Sequence, residues 1–127
     1  MLLRTALDLE AEISRELLLI NTRYPYIKIY RYRLNAGAWP QFLALQRRAD
    51  SLYSKHFDYQ IEFIRDAEDI DEVTEIQKYR SADEAAEAEH LHEKEPALRA
   101  CFMEFRALLS PDGEGIESQL GELTLIR

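Results

Sequence analysis

Three groups of side chains in this chain have the types and spacing to do chemistry. His90 and His92 lie among Glu89, Glu93 and Glu95, a grouping that resembles a metal cluster. Ligands on one helix face must stand three or four residues apart, so two histidines separated by two point in different directions. No His-Glu-x-x-His pattern is present, and the run predicts solvated side chains on an acidic helix and no metal site. Cys101, the single cysteine, sits beside Phe102 and near Leu98 and Phe105, the setting of a small buried hydrophobe. A nucleophilic role would need an adjacent base. His56 falls at a helix end, where it favours the helix dipole. Neither a glycine-rich phosphate loop nor a serine-centred elbow appears.

The third group comprises Tyr30, Arg31, Tyr32, Arg33, Tyr59, Glu75, Gln77 and Tyr79, all on segments that alternate like strands. Strands covered on both faces are mostly apolar, so this much polarity predicts a wet, hydrogen-bonded cavity or a polar interface. A pocket of tyrosine hydroxyls with an arginine suits a phenolic or acidic small molecule. Pairing of Arg31 or Arg33 with Glu75 across the sheet explains the same residues without a ligand.

These residues need a scaffold, and the pattern supplies one. Tyr26 to Leu34 alternates, with Ile27, Ile29, Arg31 and Arg33 on one side and Lys28, Tyr30, Tyr32 and Leu34 on the other. Asn35 to Gly37 signals a turn, and Pro40 suits the first turn of a helix running from Trp39 to about Lys55. A second strand reads from Tyr59 to Arg65, an acidic loop from Asp66 to Asp71, and a third strand from Glu72 to Tyr79. Ser81 and Glu84 form a capping-box pair opening an alanine-rich helix that breaks between His92 and Pro96. Ala97 to Leu109 then presents Leu98, Phe102, Phe105 and Leu109, and Ile116 to Ile126 reads as a last strand in which Gly121 signals a bulge or a close approach. Ahead of all this, Leu2, Ala6, Leu9, Ile13, Leu17 and Ile20 draw one apolar stripe. Residues 1–22 are therefore expected to form an amphipathic helix attached to a domain of residues 23–127. The order strand, helix, strand, strand, helix, strand is the split βαβ of the ferredoxin-like α+β fold.

Composition narrows the function classes. The 127 residues carry 16 Lys plus Arg against 24 Asp plus Glu, a formal charge of -8, which disfavours nucleic acid as a partner. Charges interrupt the apolar N-terminal stretch, so no membrane span is expected. A lone cysteine permits no intrachain disulfide, which suits a reducing cytoplasm. With helices on one sheet face, the other is expected to carry Tyr, Ile and Phe beside its charges, a patch that a two-fold dimer would cover.

From Tyr30 to Leu108 the chain resembles the dimeric α+β barrel superfamily, in particular the antibiotic-biosynthesis-monooxygenase-like and NIPSNAP-like proteins. Three places carry the resemblance: Leu34-Asn35-Ala36-Gly37 with Phe42 and Leu43; Phe63-Ile64-Arg65-Asp66 with Asp69 and Asp71; and Tyr79-Arg80-Ser81 leading into Glu84, Ala85, Ala88, His90 and Leu91. The resemblance implies a homodimer whose sheets face each other. It also implies a pocket between sheet and helices that in some relatives oxidises small aromatics without metal or flavin and in others degrades haem. In haem-degrading relatives a histidine near the place of His90 ligates iron. Those relatives also carry a tryptophan where this chain has Tyr79, and an asparagine on the first strand that has no match here, which speaks against haem and leaves no cofactor expected.

Two functions follow as expectations. The first is a small-molecule pocket of the cofactor-independent monooxygenase type, with His90 as base and Tyr30, Arg31, Tyr32, Arg33, Tyr59, Glu75 and Tyr79 around a small aromatic or acidic ligand. The second is a non-catalytic dimer that binds a ligand or a protein partner.

Overall fold

The structure, a computed structural model, describes residues 23–111 and 117–122. The leading apolar stripe of residues 1–22 lies outside them. The period-two pattern from residue 26 becomes β1 (Tyr26–Arg33), a strand interior to the sheet. It pairs antiparallel with β3 (Glu72–Tyr79) on one edge and with β4 (Glu117–Glu122) on the other, and β2 (Gln60–Arg65) adds to β3 as a hairpin. The order β2-β3-β1-β4 is that of the ferredoxin-like fold, so the α+β class read from the sequence is the observed one. Gly121 pairs with Ile27 in an unbroken register, and the expected bulge is absent from the described part of β4.

Helices α1 (Trp39–Tyr53), α2 (Ala82–Lys94) and α3 (Pro96–Leu108) cover one face. Gly37, at φ +78°, makes the turn into α1, where Pro40 occupies the first turn. Ser81 Oγ accepts from the Glu84 N–H at 3.2 Å and caps α2. The reciprocal half of the capping box does not form, because the Glu84 carboxylate is taken by Arg80 at 2.7 Å. Glu95 is extended, as the residue before a proline should be, and separates α2 from α3.

Phe42 is fully buried at the centre of the main core. Its ring meets Trp39 at 5.3 Å, Phe63 at 5.2 Å and Tyr32 at 5.9 Å, while Leu34, Ala38 and Val73 close the cluster. A second cluster holds Phe57, Tyr79, Ala85 and Ala88. On α3 the buried residues are Leu98 and Cys101; Phe102, expected in the apolar face, lies at its rim with 37% exposure. The acidic loop is ordered locally: Asp66 Oδ1 accepts from the N–H groups of Glu68 and Asp69, and Asp69 pairs with Arg33.

The sheet face away from the helices carries half-exposed Ile27, Ile29 and Ile76, with Ile64 at 52% exposure and Arg31 exposed. Phe42→Ala should cost about 3–5 kcal/mol, since it empties the best-packed site in the fold. Urea unfolding measures it; a loss under about 1 kcal/mol would contradict this account of the core.

Candidate functional site

Between the helix-facing side of the sheet and the three helices lies a cavity of about 320 Å³. Alternation along the strands delivers its floor: Tyr30 and Tyr32 from β1, Tyr59 and Ile61 from β2 and the residue before it, and Glu75, Gln77 and Tyr79 from β3. Leu45, Ala49, Asp50 and Tyr53 of α1 form one wall. Ala88, Glu89 and His92 of α2 and Leu98, Cys101, Phe102 and Phe105 of α3 form the other.

A hydrogen-bonded rail crosses the floor. Tyr32 Oη donates to Glu75 Oε1 at 2.7 Å, the Gln77 amide N–H donates to Glu75 Oε2, and Tyr79 Oη donates to Gln77 Oε1 at 2.5 Å. By accepting that proton, the Gln77 oxygen is held toward Tyr79, which turns its amide nitrogen to Glu75. Tyr59 stacks on Tyr79 at 5.8 Å and 14°, lies 6.0 Å from the Tyr53 ring, and donates to Asp50 Oδ1 at 2.6 Å. Burial raises the pKa of Glu75, a shift its two hydrogen bonds oppose. Burial also raises Tyr30, to about 12, helped by the charges of Glu89 and Glu75, and it raises Tyr32, Tyr59 and Tyr79 as well. These phenols are neutral donors at physiological pH. Beside the cavity, buried Lys28 donates to the Ala85 carbonyl at 3.1 Å and lies 3.4 Å from the Glu89 carboxylate.

Six of the residues that the sequence groups around a pocket thus meet here: Tyr30, Tyr32, Tyr59, Glu75, Gln77 and Tyr79. Three do not. Arg31 and Arg33 project from the opposite face, as odd positions of a strand must; Arg31 is exposed, and Arg33 pairs with Asp69 and, at 3.8 Å, with Glu72. Neither reaches Glu75, whose partners are Tyr32 and Gln77, so the expected cross-sheet arginine pair does not form. His90 is exposed and contacts Glu93 at 3.2 Å, away from the cavity, so the base role assigned to it lacks its geometry. The histidine that lines the cavity is His92, stacked on Phe102 at 5.3 Å.

Cys101 is buried in the wall, and Asp50, Tyr53 and Glu89 are further lining residues that the strand pattern could not point to. Helical spacing marks two of them, because Asp50 and Tyr53 lie four and seven residues after Gln46, also in the lining. Among the described residues no three of His, Cys, Asp and Glu are grouped to hold a metal ion. No helix among them is long and apolar enough to cross a membrane.

No protein-family model matches the chain, and no curated protein is significantly similar to it in sequence. Solved structures share its fold. A NIPSNAP family protein of unknown function from Agrobacterium tumefaciens is similar at 20% identity and a TM-score of 0.63, covering 80% of this chain and 89% of that one. SnoaB, a cofactor-independent oxygenase from Streptomyces nogalater, is similar at 14% identity and 0.63, covering 81% and 96%. A candidate antibiotic biosynthesis monooxygenase from Nitrosomonas europaea follows at 11% and 0.61, covering 78% and 89%. The chain therefore has the ferredoxin-like subunit fold of the NIPSNAP and antibiotic-biosynthesis-monooxygenase-like proteins, as its sequence resemblance implies.

Because burial lifts the folded pKa of Glu75 above the ordinary 4.5, the folded state holds this proton more tightly than the unfolded chain does. Stability falls as pH rises from the ordinary value through the folded one. Glu75→Gln removes the charge; its amide oxygen accepts from Gln77, and its N–H donates to the Tyr32 oxygen. It should be at least as stable as the parent near neutral pH and lack this part of the decline. Urea midpoints between roughly pH 4 and pH 8 test it, and a large loss at neutral pH would refute it.

Proposed function

We propose that the chain binds a small aromatic molecule in the cavity between sheet and helices, with a donor group of that molecule directed at Glu75. The observation that carries this reading is the buried carboxylate in an aromatic-walled space, with one hydrogen bond on each oxygen and a lone pair left on each. A volume of about 320 Å³ is at the small end of ligand sites and suits roughly one or two rings.

A second reading turns binding into chemistry, and the raised pKa of Glu75 favours it. As a proton acceptor, Glu75 would take a proton from an activated CH₂ group of the ligand, and the resulting anion would reduce O₂. The balance is CH₂ plus O₂ giving C=O plus H₂O, with no metal or flavin, in keeping with the cofactor-independent oxygenase among the proteins of similar fold. Calorimetric titration with small phenols, followed by oxygen uptake on those that bind, tests both readings. Under the oxygenase reading, Glu75→Gln binds but loses rate by on the order of 10²-fold or more. Binding without oxygen uptake leaves a ligand-binding protein, and absence of binding defeats both.

We also propose that a second copy of the chain covers the outer sheet face, where Ile27, Ile29, Ile64 and Ile76 gather around Arg31, that residues 1–22 pack as a helix on the domain or on that copy, and that the protein works in the cytoplasm. Sedimentation should show a dimer for the parent and a monomer for Ile29→Glu. A monomeric parent would remove the dimer.

A further inference from the structure

The charge of the cavity restricts what its ligand can be, an inference that rests on the binding reading above. Among the described residues the lining contains three carboxylates, Asp50, Glu75 and Glu89, and neither lysine nor arginine. Its one basic group, His92, lies against Phe102 in the outer part of the wall. The arginines that would receive an acidic ligand stand on the other side of the sheet.

Lys28 offsets part of the Glu89 charge at 3.4 Å. Nothing comparable serves the other two. Among the described residues, the hydrogen-bond partners of Asp50 are Tyr59 and Ser54, and those of Glu75 are Tyr32 and Gln77, all uncharged. Uncharged donors stabilise a carboxylate without cancelling its field. The rings of Tyr53, Tyr59 and Tyr79 line the same cavity, with Tyr59 and Tyr79 stacked and Tyr53 tilted 59° against Tyr59. Aromatic rings set at an angle beside anionic groups are the arrangement that holds an ammonium, through ring quadrupole and charge together. An anion in the same place would meet the buried carboxylate of Glu75 and the exposed one of Asp50, neither paired with a cation among the described residues.

We propose that the ligand is a cationic amine on a flat apolar body, the nitrogen lying between Asp50 and Glu75 and the ring system against Phe105 and Cys101. Three phenethyl probes that differ in their head group decide it by calorimetry on the full chain: phenethylamine, phenethyl alcohol and hydrocinnamate. The amine should bind roughly tenfold more tightly than the alcohol, the size of a partly desolvated cation–π and charge contact, and the acid more weakly than either. Added salt should weaken the amine and leave the alcohol nearly unaffected. The double variant Asp50→Asn, Glu89→Gln changes exposed helix positions only, and should cut the amine-to-alcohol ratio by about fivefold. Equal binding of alcohol and amine, or preference for the acid, overturns the proposal while leaving the pocket in place; so does a ratio unmoved in the double variant. Failure of all three probes to bind at millimolar concentration overturns the pocket itself and the proposal with it.

Discussion

A carboxylate out of water must find its hydrogen bonds inside the protein, and the need to satisfy Glu75 ties together much of this structure. Glu75 lies opposite Tyr30 in the β1·β3 ladder, so the hydroxyl that reaches it comes from Tyr32, the next residue on the same face of β1. Gln77 and Tyr79 complete the rail along β3 because all three share one side of the strand. A slip of one residue between β1 and β3 would turn Tyr32 and Glu75 to opposite faces and leave Glu75 without its donor. The same residues that line the cavity thus also fix the sheet register that makes the cavity.

The sheet also sorts charge. On its outer side Arg33 and Lys78 meet Asp69, Glu72 and Glu62 in partly exposed pairs, where screening makes each contribution small. On its inner side, among the described residues, Lys28 sits beneath α2, and the carboxylates next to the cavity outnumber it. Burial, with these carboxylates adding to it, raises the pKa of Tyr30, Tyr59 and Tyr79 and keeps them protonated and able to donate. The tyrosines supply neutral polarity that a leucine-lined space would lack, without adding charge.

How far the sequence could be read depended on which period governed each residue. Period two along residues 26 to 34 and 72 to 79 placed Tyr30, Tyr32, Glu75, Gln77 and Tyr79 on one face, and the fold followed from the order of elements. The same alternation already set Arg31 and Arg33 on the other side; grouping them with the tyrosines let residue chemistry override geometry. Family position points to His90, whereas the buried stripe of α2, Ala85 and Ala88, continues at a spacing of four to His92. On α3 the competing stripes Leu98, Phe102, Phe105 and Leu98, Cys101, Phe105 differ by one residue, and only docking against α1 and α2 separates them. Helical spacing puts Gln46, Asp50 and Tyr53 on one edge of α1, but that this edge borders the sheet is a tertiary fact that no local pattern contains.

The cavity is costly to keep. Ala49 and Ala88 stand in its lining where larger side chains would fill space and add apolar contact, and the walls hold phenols and carboxyls that each need a partner. A core selected for stability alone would resemble the cluster around Phe42, mostly apolar and directly adjoining the cavity through Tyr32 and Phe105. The two halves of the same interior follow different rules. The half around Phe42 anchors β1, β3, α1 and α3. The half around Glu75 uses that rigidity to hold polar groups apart at fixed positions, which is the condition for binding a small molecule selectively.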